Sequence, residues 1–325
     1  MTGFCDMKEI TQIKGDFFGK DIITLDQFSS SDIQFLFHHV GQYQEIADTN
    51  TLSKTLAGYI ITLLFYEPSS RTFGSFCSAA QRLGAGIIPV QNPQAVSSVS
   101  KGESLEDTIR TFASYSDAIV IRSKEAGTAQ KAADATYIPV LNAGDGGASH
   151  PTQGLLDLYT IYQSVKRLDN LTVVATGDIL HSRTIHSLIQ GLSLFAKNTI
   201  YLLSPKELRL SKEDYKKFSG NGIVIKEIFD ADQIPTHAHV WYWNRIQKER
   251  FATQKEAEKY TNRFVLTKEL LHKYGNKNLM IMDPLPRVGE IDEAVDQDPR
   301  AYYFKQMRNG LYVRMTLFSL ILKRL

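Results

Sequence analysis

Apolar residues recur along the chain in short runs, separated by segments whose apolar positions repeat with helical spacing. The runs Gly58–Phe65, Gly86–Val90, Asp117–Arg122 and Tyr137–Leu141 predict one series of strands. Leu171–Thr176, Thr199–Leu203, Gly222–Lys226, His239–Trp243 and Leu279–Met282 predict a second. Between them, Ser104–Ser116, Thr152–Lys166 and Arg183–Phe195 carry apolar residues three and four apart and predict helices. Such alternation predicts an α/β fold with parallel sheets flanked by helices. The runs are apolar throughout rather than alternating, as expected of strands buried on both faces.

The two series are split by NAGDGGASHPTQ (Asn142–Gln153), whose glycines disfavour the interior of either element. The chain therefore reads as two domains, residues 1–152 and 153–308, joined near the helix predicted over Thr152–Lys166. The last segment, Asn309–Leu325, is apolar and helical and needs a surface to bury against. It is expected to return to the first domain and complete it.

Composition narrows the function. With 325 residues, 43% hydrophobic and 22% charged, the chain suits one large or two medium domains. A net charge of +2 argues against general nucleic-acid or membrane-surface binding, so any strong positive field is local. Cys5 and Cys77 offer neither metal-ligand spacing nor a disulfide framework, which points to a reducing compartment. No apolar run approaches the roughly 20 residues of a spanning helix. The N-terminus MTGFCDMKEITQIKGD has the pattern of neither a signal nor a transit peptide, and the cytoplasm is the expected location.

Candidate chemistry is densest in FYEPSSRTF. A strand-like run stops at Glu67-Pro68, and Phe73, Phe76, Cys77, Ala80 and Leu83 then recur at helical spacing. Ser69, Ser70, Arg71 and Thr72 thus sit where a strand hands over to a helix. Ligands of open α/β sheets bind at strand carboxyl ends, and helix N-termini attract phosphate. Hydroxyls there can bond an anion, and a guanidinium forks onto phosphate oxygens. Simple N-capping by serine, with a surface arginine, is the competing reading.

Five further segments bear on that choice: SKGESLEDT (Ser100–Thr108), DAIVIR (Asp117–Arg122), HPTQGLLDLYTI (His150–Ile161), RIQKERF (Arg245–Phe251) and DPLPRVGEID (Asp283–Asp292). In content and order, from about Phe18 to the C-terminus, they resemble the catalytic chain of the aspartate carbamoyltransferase family. The resemblance implies transfer of the carbamoyl group of carbamoyl phosphate to L-aspartate in pyrimidine biosynthesis, with no cofactor and no catalytic metal. It implies a carbamoyl phosphate-binding domain over 1–152, completed by 309–325, and an aspartate-binding domain over 153–308. Ser69, Ser70, Arg71 and Thr72 would hold the phosphate. Arg122 would reach phosphate and carbonyl oxygen, His150 and Thr72 would donate to the carbonyl oxygen, and Gln153 would reach the carbamoyl nitrogen. Ser97 and Lys101 would cross into a neighbouring subunit's site, implying a homotrimer with shared sites. Arg183, Arg245 and Gln247 would take the aspartate carboxylates, and Pro284 and Leu285 would orient the amine by their carbonyls. A regulatory or dihydroorotase partner is left open.

Two positions depart from the family pattern. Phe73 stands where many members carry a second arginine, and Asp283 where histidine precedes Pro-Leu-Pro; Arg287 is the expected partner of Asp283. His237 and His239 lack a third metal ligand, His181 and His186 read as helix-start or surface residues, and Cys77 falls on an apolar helix face. Lys248–Lys259 reads as a solvated segment, with Lys248 and Arg250 as further candidates. Ornithine as acceptor, or a non-catalytic anion-binding homologue, are the alternatives.

Overall fold

The structure, a computed structural model, describes residues 10–96, 98–147, 149–219, 222–248, 251, 253, 258–260 and 263–323. The chain separates into two compact units, Met1–Leu155 with Asn309–Leu325, and Leu156–Arg308. Each holds one parallel sheet.

In the first unit β1 (Ile60–Phe65), β2 (Gly86–Gln91), β3 (Ala118–Ser123) and β4 (Val140–Asp145) lie in the order β2-β1-β3-β4. In the second, β5 (Thr172–Thr176), β6 (Thr199–Leu203), β7 (Val224–Ile228), β8 (Val240–Trp243) and β9 (Met280–Met282) lie in the order β7-β6-β5-β8-β9. The expected burial of both strand faces holds for β3, β4, β8 and β9. It fails at the edges, where Pro89 of β2 and Val224 and Lys226 of β7 are exposed. An edge strand tolerates proline because one row of its N–H groups has no ladder to join.

Helices connect the strands: α1 (Ser30–Asp48), α2 (Ser70–Arg82), α3 (Pro93–Val96), α4 (Leu105–Ala113), α5 (Thr128–Asp134), α6 (Pro151–Val165), α7 (Arg183–Leu192), α8 (Lys212–Ser219), α9 (Lys268–Tyr274) and α10 (Tyr303–Leu322). Ser104 caps α4 by accepting the Asp107 N–H, so that helix starts where the pattern predicts, and it stops three residues early. The strand expected over Tyr137–Leu141 begins later, at Val140, and runs on through polar residues to Asp145. Tertiary partners allow this: Asn142 donates its backbone N–H to the Ile22 carbonyl and its Nδ2 to the Ile23 carbonyl of the N-terminal segment.

Ile109, Ile119, Ile121, Ala129, Ala132 and Val140 form one core of the first unit. The second is built on Trp241 and Trp243, with ring centroids 5.5 Å apart, packed with Leu266, Ile281 and Tyr303. From Asn309 onward α10 belongs to the first unit. There Phe318 meets Phe76 at 5.6 Å, Arg314 donates to Ser75 Oγ at 3.0 Å, and Tyr312 donates to Asp48 at 2.6 Å. Burying one such phenyl ring stabilises by about 2–3 kcal/mol, so the terminal helix is a structural part of this unit.

Both sheets have the same logic of direction. The chain leaves β1 for β2 on one side and returns to β3 on the other; likewise it leaves β5 for β6 and β7 and returns to β8. Connections diverge at β1/β3 and at β5/β8, and in open α/β sheets ligands bind at the carboxyl ends of strands beside such points.

Candidate active site

The strand ends at the first divergence carry the anion-binding candidates. Phe65, the last residue of β1, is in register with Arg122 of β3, and the Tyr66 N–H donates to the Arg122 carbonyl at 2.8 Å. Ser69–Thr72 therefore begin α2 beside the end of β3. The capping reading does not hold for Ser69. It occupies the cap position of α2, yet its side chain makes no capping hydrogen bond. Its hydroxyl is thus not consumed by the helix. Arg71 is exposed and Thr72 half-buried in the first turn.

Arg122 is 7% exposed. Its Nη1 donates to the Ala143 carbonyl of β4 at 2.9 Å, and Nη2 pairs with Glu67 Oε2 at 2.6 Å. The guanidinium is thereby held at two points. Glu67 was not singled out from the sequence. The only available signal was its place between β1 and the polar turn, and the pairing itself depends on β1 lying next to β3. His150 and Gln153, both buried, follow β4 and open α6; His150 Nδ1 lies 3.5 Å from Thr152 Oγ1. Three adjacent parallel strands thus deliver Ser69–Thr72, Arg122 and His150 to the same end of one sheet. Lys101 ends the turn Ser98–Lys101, is exposed, and makes no hydrogen bond or ion pair with another described residue. Ser97 and Arg250 lie outside the described residues.

Phe73 has a packing explanation. Its ring stands perpendicular to Phe65 at 5.2 Å, tying the first turn of α2 to the end of β1. Cys77 is half-buried, and burial pushes its thiol pKa up, which opposes thiolate formation.

At the second divergence Gly177 and Asp178 follow β5, Asn244, Arg245 and Gln247 follow β8, and Asp283, Pro284 and Leu285 follow β9. Gly177 has φ +109, and a Cβ there would lie 2.0 Å from the Asn244 carbonyl oxygen, so only glycine lets the two loops meet. Asn244 Nδ2 donates to Ser182 Oγ at 2.5 Å, and Ser182 caps α7 by accepting the Ile185 N–H at 3.3 Å. Asp178, fully buried, accepts from His181 N at 3.1 Å, contacts His181 Nδ1 at 2.9 Å and accepts the Gln247 backbone N–H. Burial raises the Asp178 pKa, and His181 partly offsets this. Asp178 is a second residue that sequence reasoning missed. His181, read as a helix-start or surface residue, is its half-buried partner. Arg183 begins α7, and it, Arg245 and Gln247 are all half-buried.

The expected pairing of Asp283 with Arg287 is corrected. Arg287 forks onto Asp296, with Nη2 2.9 Å from Oδ2, and its Nη1 faces the Tyr303 hydroxyl at 3.4 Å. Helix α10 brings Tyr303 there, and the turn 293–297 brings Asp296, neither visible in the local sequence. His239 is likewise structural: Nδ1 accepts the Thr172 N–H and Nε2 faces Arg167 at 2.9 Å. His186 Nε2 donates to the Ile179 carbonyl at 2.8 Å, and burial lowers its pKa.

The chain belongs to the aspartate/ornithine carbamoyltransferase family: its carbamoyl-P binding domain matches residues 20–163 and its Asp/Orn binding domain residues 169–321. The chain is 42% identical over 304 residues to a chloroplastic aspartate carbamoyltransferase of Arabidopsis thaliana, covering 93% of this chain and 77% of that one. It is 41% identical over 303 residues to the multifunctional protein pyr1-3 of Dictyostelium discoideum, covering 93% of this chain and spanning 13% of that protein's length. An aspartate transcarbamoylase of Trypanosoma cruzi, solved with carbamoyl phosphate and aspartate, is 34% identical with a TM-score of 0.88, covering 97% of this chain and all of that one.

Proposed function

We propose that this enzyme is an aspartate carbamoyltransferase of pyrimidine biosynthesis, joining carbamoyl phosphate and L-aspartate to give N-carbamoyl-L-aspartate and phosphate. The observation that carries the proposal is the register of Phe65 with Arg122, which sets the polar turn Ser69–Thr72 beside a buried, doubly held guanidinium. In this reading the first unit is the carbamoyl phosphate-binding domain. Ser69, Ser70, Arg71 and Thr72 cradle the phosphate, while Thr72, Arg122 and His150 face the carbonyl oxygen and Gln153 the carbamoyl nitrogen. The second unit is the aspartate-binding domain, with Arg183, Arg245 and Gln247 for the carboxylates and the Pro284 and Leu285 carbonyls for the amine.

The chemistry is positioning and electrostatics. The neutral amine attacks the carbonyl carbon and forms the C–N bond. Negative charge gathers on the carbonyl oxygen, where donors stabilise it. The C–O bond to phosphate then breaks, and the departing phosphate takes the amine proton. A further part of the proposal is a cytoplasmic homotrimer in which Ser97 and Lys101 serve a neighbouring copy's site. It is supported by the exposure of Lys101, which has no partner among the described residues. No helix among the described residues is long and apolar enough to cross a membrane. A dihydroorotase or regulatory partner is a related proposal, suggested by the multifunctional relative.

Aspartate is preferred over ornithine because the acceptor-side candidates include the cationic Arg183 and Arg245, while the nearby carboxyls Asp178 and Asp283 are buried and accept hydrogen bonds within the protein. Incubation of the purified protein with carbamoyl phosphate and each amino acid should give carbamoyl-aspartate. Carbamoylation of ornithine alone would reject the assignment. No turnover, together with no binding of a phosphonate–aspartate bisubstrate analogue, would favour the non-catalytic alternative.

A further inference from the structure

The opposite end of the second sheet carries a basic cleft that the active site does not use. It encloses about 530 Å3, and its lining includes Arg167, His239, Lys277, Arg300 and Tyr302. Arg167 lies in the turn between α6 and β5, His239 immediately precedes β8, and Lys277 stands just before β9. These are the amino ends of the strands whose carboxyl ends lead to Asp178, Arg245 and Asp283. The five residue steps from His239 to Asn244 span about 16 Å of strand. The cleft is thus a separate site within the second unit.

Its charge has one sign. No aspartate or glutamate lines it. Arg300 is neutralised by Asp298, which it forks with two contacts of 2.8 Å. Two other cations are not. Lys277 is exposed and makes no hydrogen bond or ion pair with another described residue. Arg167 is half-buried and donates to main-chain carbonyls, those of Asp169 at 3.2 Å and Asn170 at 3.4 Å. Its remaining contact is the His239 ring.

That contact is unsatisfied as it stands. The Thr172 N–H of β5 points at His239 Nδ1 from 2.9 Å, and Arg167 Nη2 lies 2.9 Å from Nε2. A neutral imidazole has one acceptor nitrogen and one N–H, and a guanidinium only donates. Whichever nitrogen carries the proton, one contact sets donor against donor. The strand amide has a fixed direction and takes Nδ1, so the Nε2 proton faces Arg167. Protonating the ring would only add a donor, and burial together with the charge of Arg167 lowers the His239 pKa. An oxyanion resolves the conflict, because its oxygens accept from Nε2 and from Arg167 at once. A purely structural role for Arg167 explains its carbonyl bonds and leaves the donor–donor contact unexplained.

We propose that this cleft is a second anion site, holding a phosphate group, free or as the monoester of a small molecule, between Arg167, the His239 Nε2–H and Lys277. Small-molecule pockets run from about 300 to 1,000 Å3, so the cleft has room for more than the ion. The hydroxyls of Ser164 and Tyr302, 3.4 Å apart, border that room. A bound phosphate ties the α6–β5 turn to the segments entering β8 and β9 and stabilises the second unit by mass action.

The test titrates inorganic phosphate and phenyl phosphate into the full chain saturated with the phosphonate–aspartate analogue, which withdraws the active-site anion cradle. Titration calorimetry should show one remaining phosphate-binding event per chain. Lys277→Ala removes an exposed side chain with no bonds to other described residues, keeps the fold, and should weaken that event roughly tenfold. Arg167→Met should weaken it tenfold or more. The ring signals of His239, assigned by NMR with His239→Gln, should shift along the same titration. Tighter binding of phenyl phosphate assigns the site to a monoester, and equal or weaker binding assigns it to free phosphate. No binding beyond the active site, or binding that neither Lys277→Ala nor Arg167→Met weakens, overturns the proposal. The inference stands apart from the reaction assigned above: should the analogue fail to bind, Arg71→Ala replaces it in the titration.

Discussion

Gly177→Ala is the sharpest test of how the second sheet builds its loop cluster. The added Cβ would lie 2.0 Å from the Asn244 oxygen, and contacts below 3.0 Å do not persist, so the loops must part by at least 3.0 − 2.0 = 1.0 Å. Asn244 cannot retreat freely. Its N–H donates to Thr176 at 3.2 Å and its side chain to Ser182 at 2.5 Å. Alanine at φ +109 adds about 1–2 kcal/mol of backbone strain, and overpacking about 1–3 kcal/mol, giving a total of about 2–5 kcal/mol. The second unit has 308 − 156 + 1 = 153 residues. At about 2–4 °C per kcal/mol for that size, its thermal transition should fall by roughly 4–20 °C. Arg245 and Gln247 follow Asn244, so a shift of this size should raise the KM for aspartate by up to about a hundredfold. The carbamoyl phosphate dissociation constant should stay at its wild-type value. Scanning calorimetry and steady-state kinetics on one preparation give all three quantities. A variant with wild-type Tm and wild-type aspartate KM would refute the close-approach reasoning.

Two serines at helix starts should behave oppositely. Ser182→Ala removes a cap and the Asn244 partner and should cost about 1–2 kcal/mol of stability. Ser69→Ala should leave stability within about 0.5 kcal/mol and lower kcat/KM for carbamoyl phosphate, because its hydroxyl caps nothing; equal Tm losses in the two variants would contradict this. Glu67→Gln weakens the ion pair that holds Arg122 and should reduce kcat/KM by roughly 10- to 100-fold, measured by carbamoyl-aspartate formation at limiting carbamoyl phosphate. Mixing inactive Arg71→Ala and Lys101→Ala proteins under conditions of proven subunit exchange should restore activity, because hybrid trimers would contain intact sites. No recovery would exclude a cross-subunit role for Lys101.

Much of this architecture was legible in the residue pattern. Each of the nine strands among the described residues was anticipated to within a few residues, because short apolar runs bounded by glycine, proline and polar turns have few other stable uses. Boundaries were lost where non-local partners extended an element. β4 continues to Asp145 because Asn142 bonds the N-terminal segment, 119 positions away. The strand pattern put Arg122, Arg183 and Arg245 at strand ends or the turns after them, and their proposed roles came only from the resemblance, which drew on the order of whole segments.

The tertiary structure decided what those residues meet. From the sequence, Ser69 could equally have been a cap, and Arg287 was the nearest cation to Asp283. Strand order made Glu67 the partner of Arg122, and α10 and the turn before it drew Arg287 to Tyr303 and Asp296. That left one carboxylate oxygen of Asp283 buried without a hydrogen-bond donor. Local preference and periodicity act over a few residues and are written along the chain. Charge pairing and desolvation depend on which distant segments the sheets place side by side.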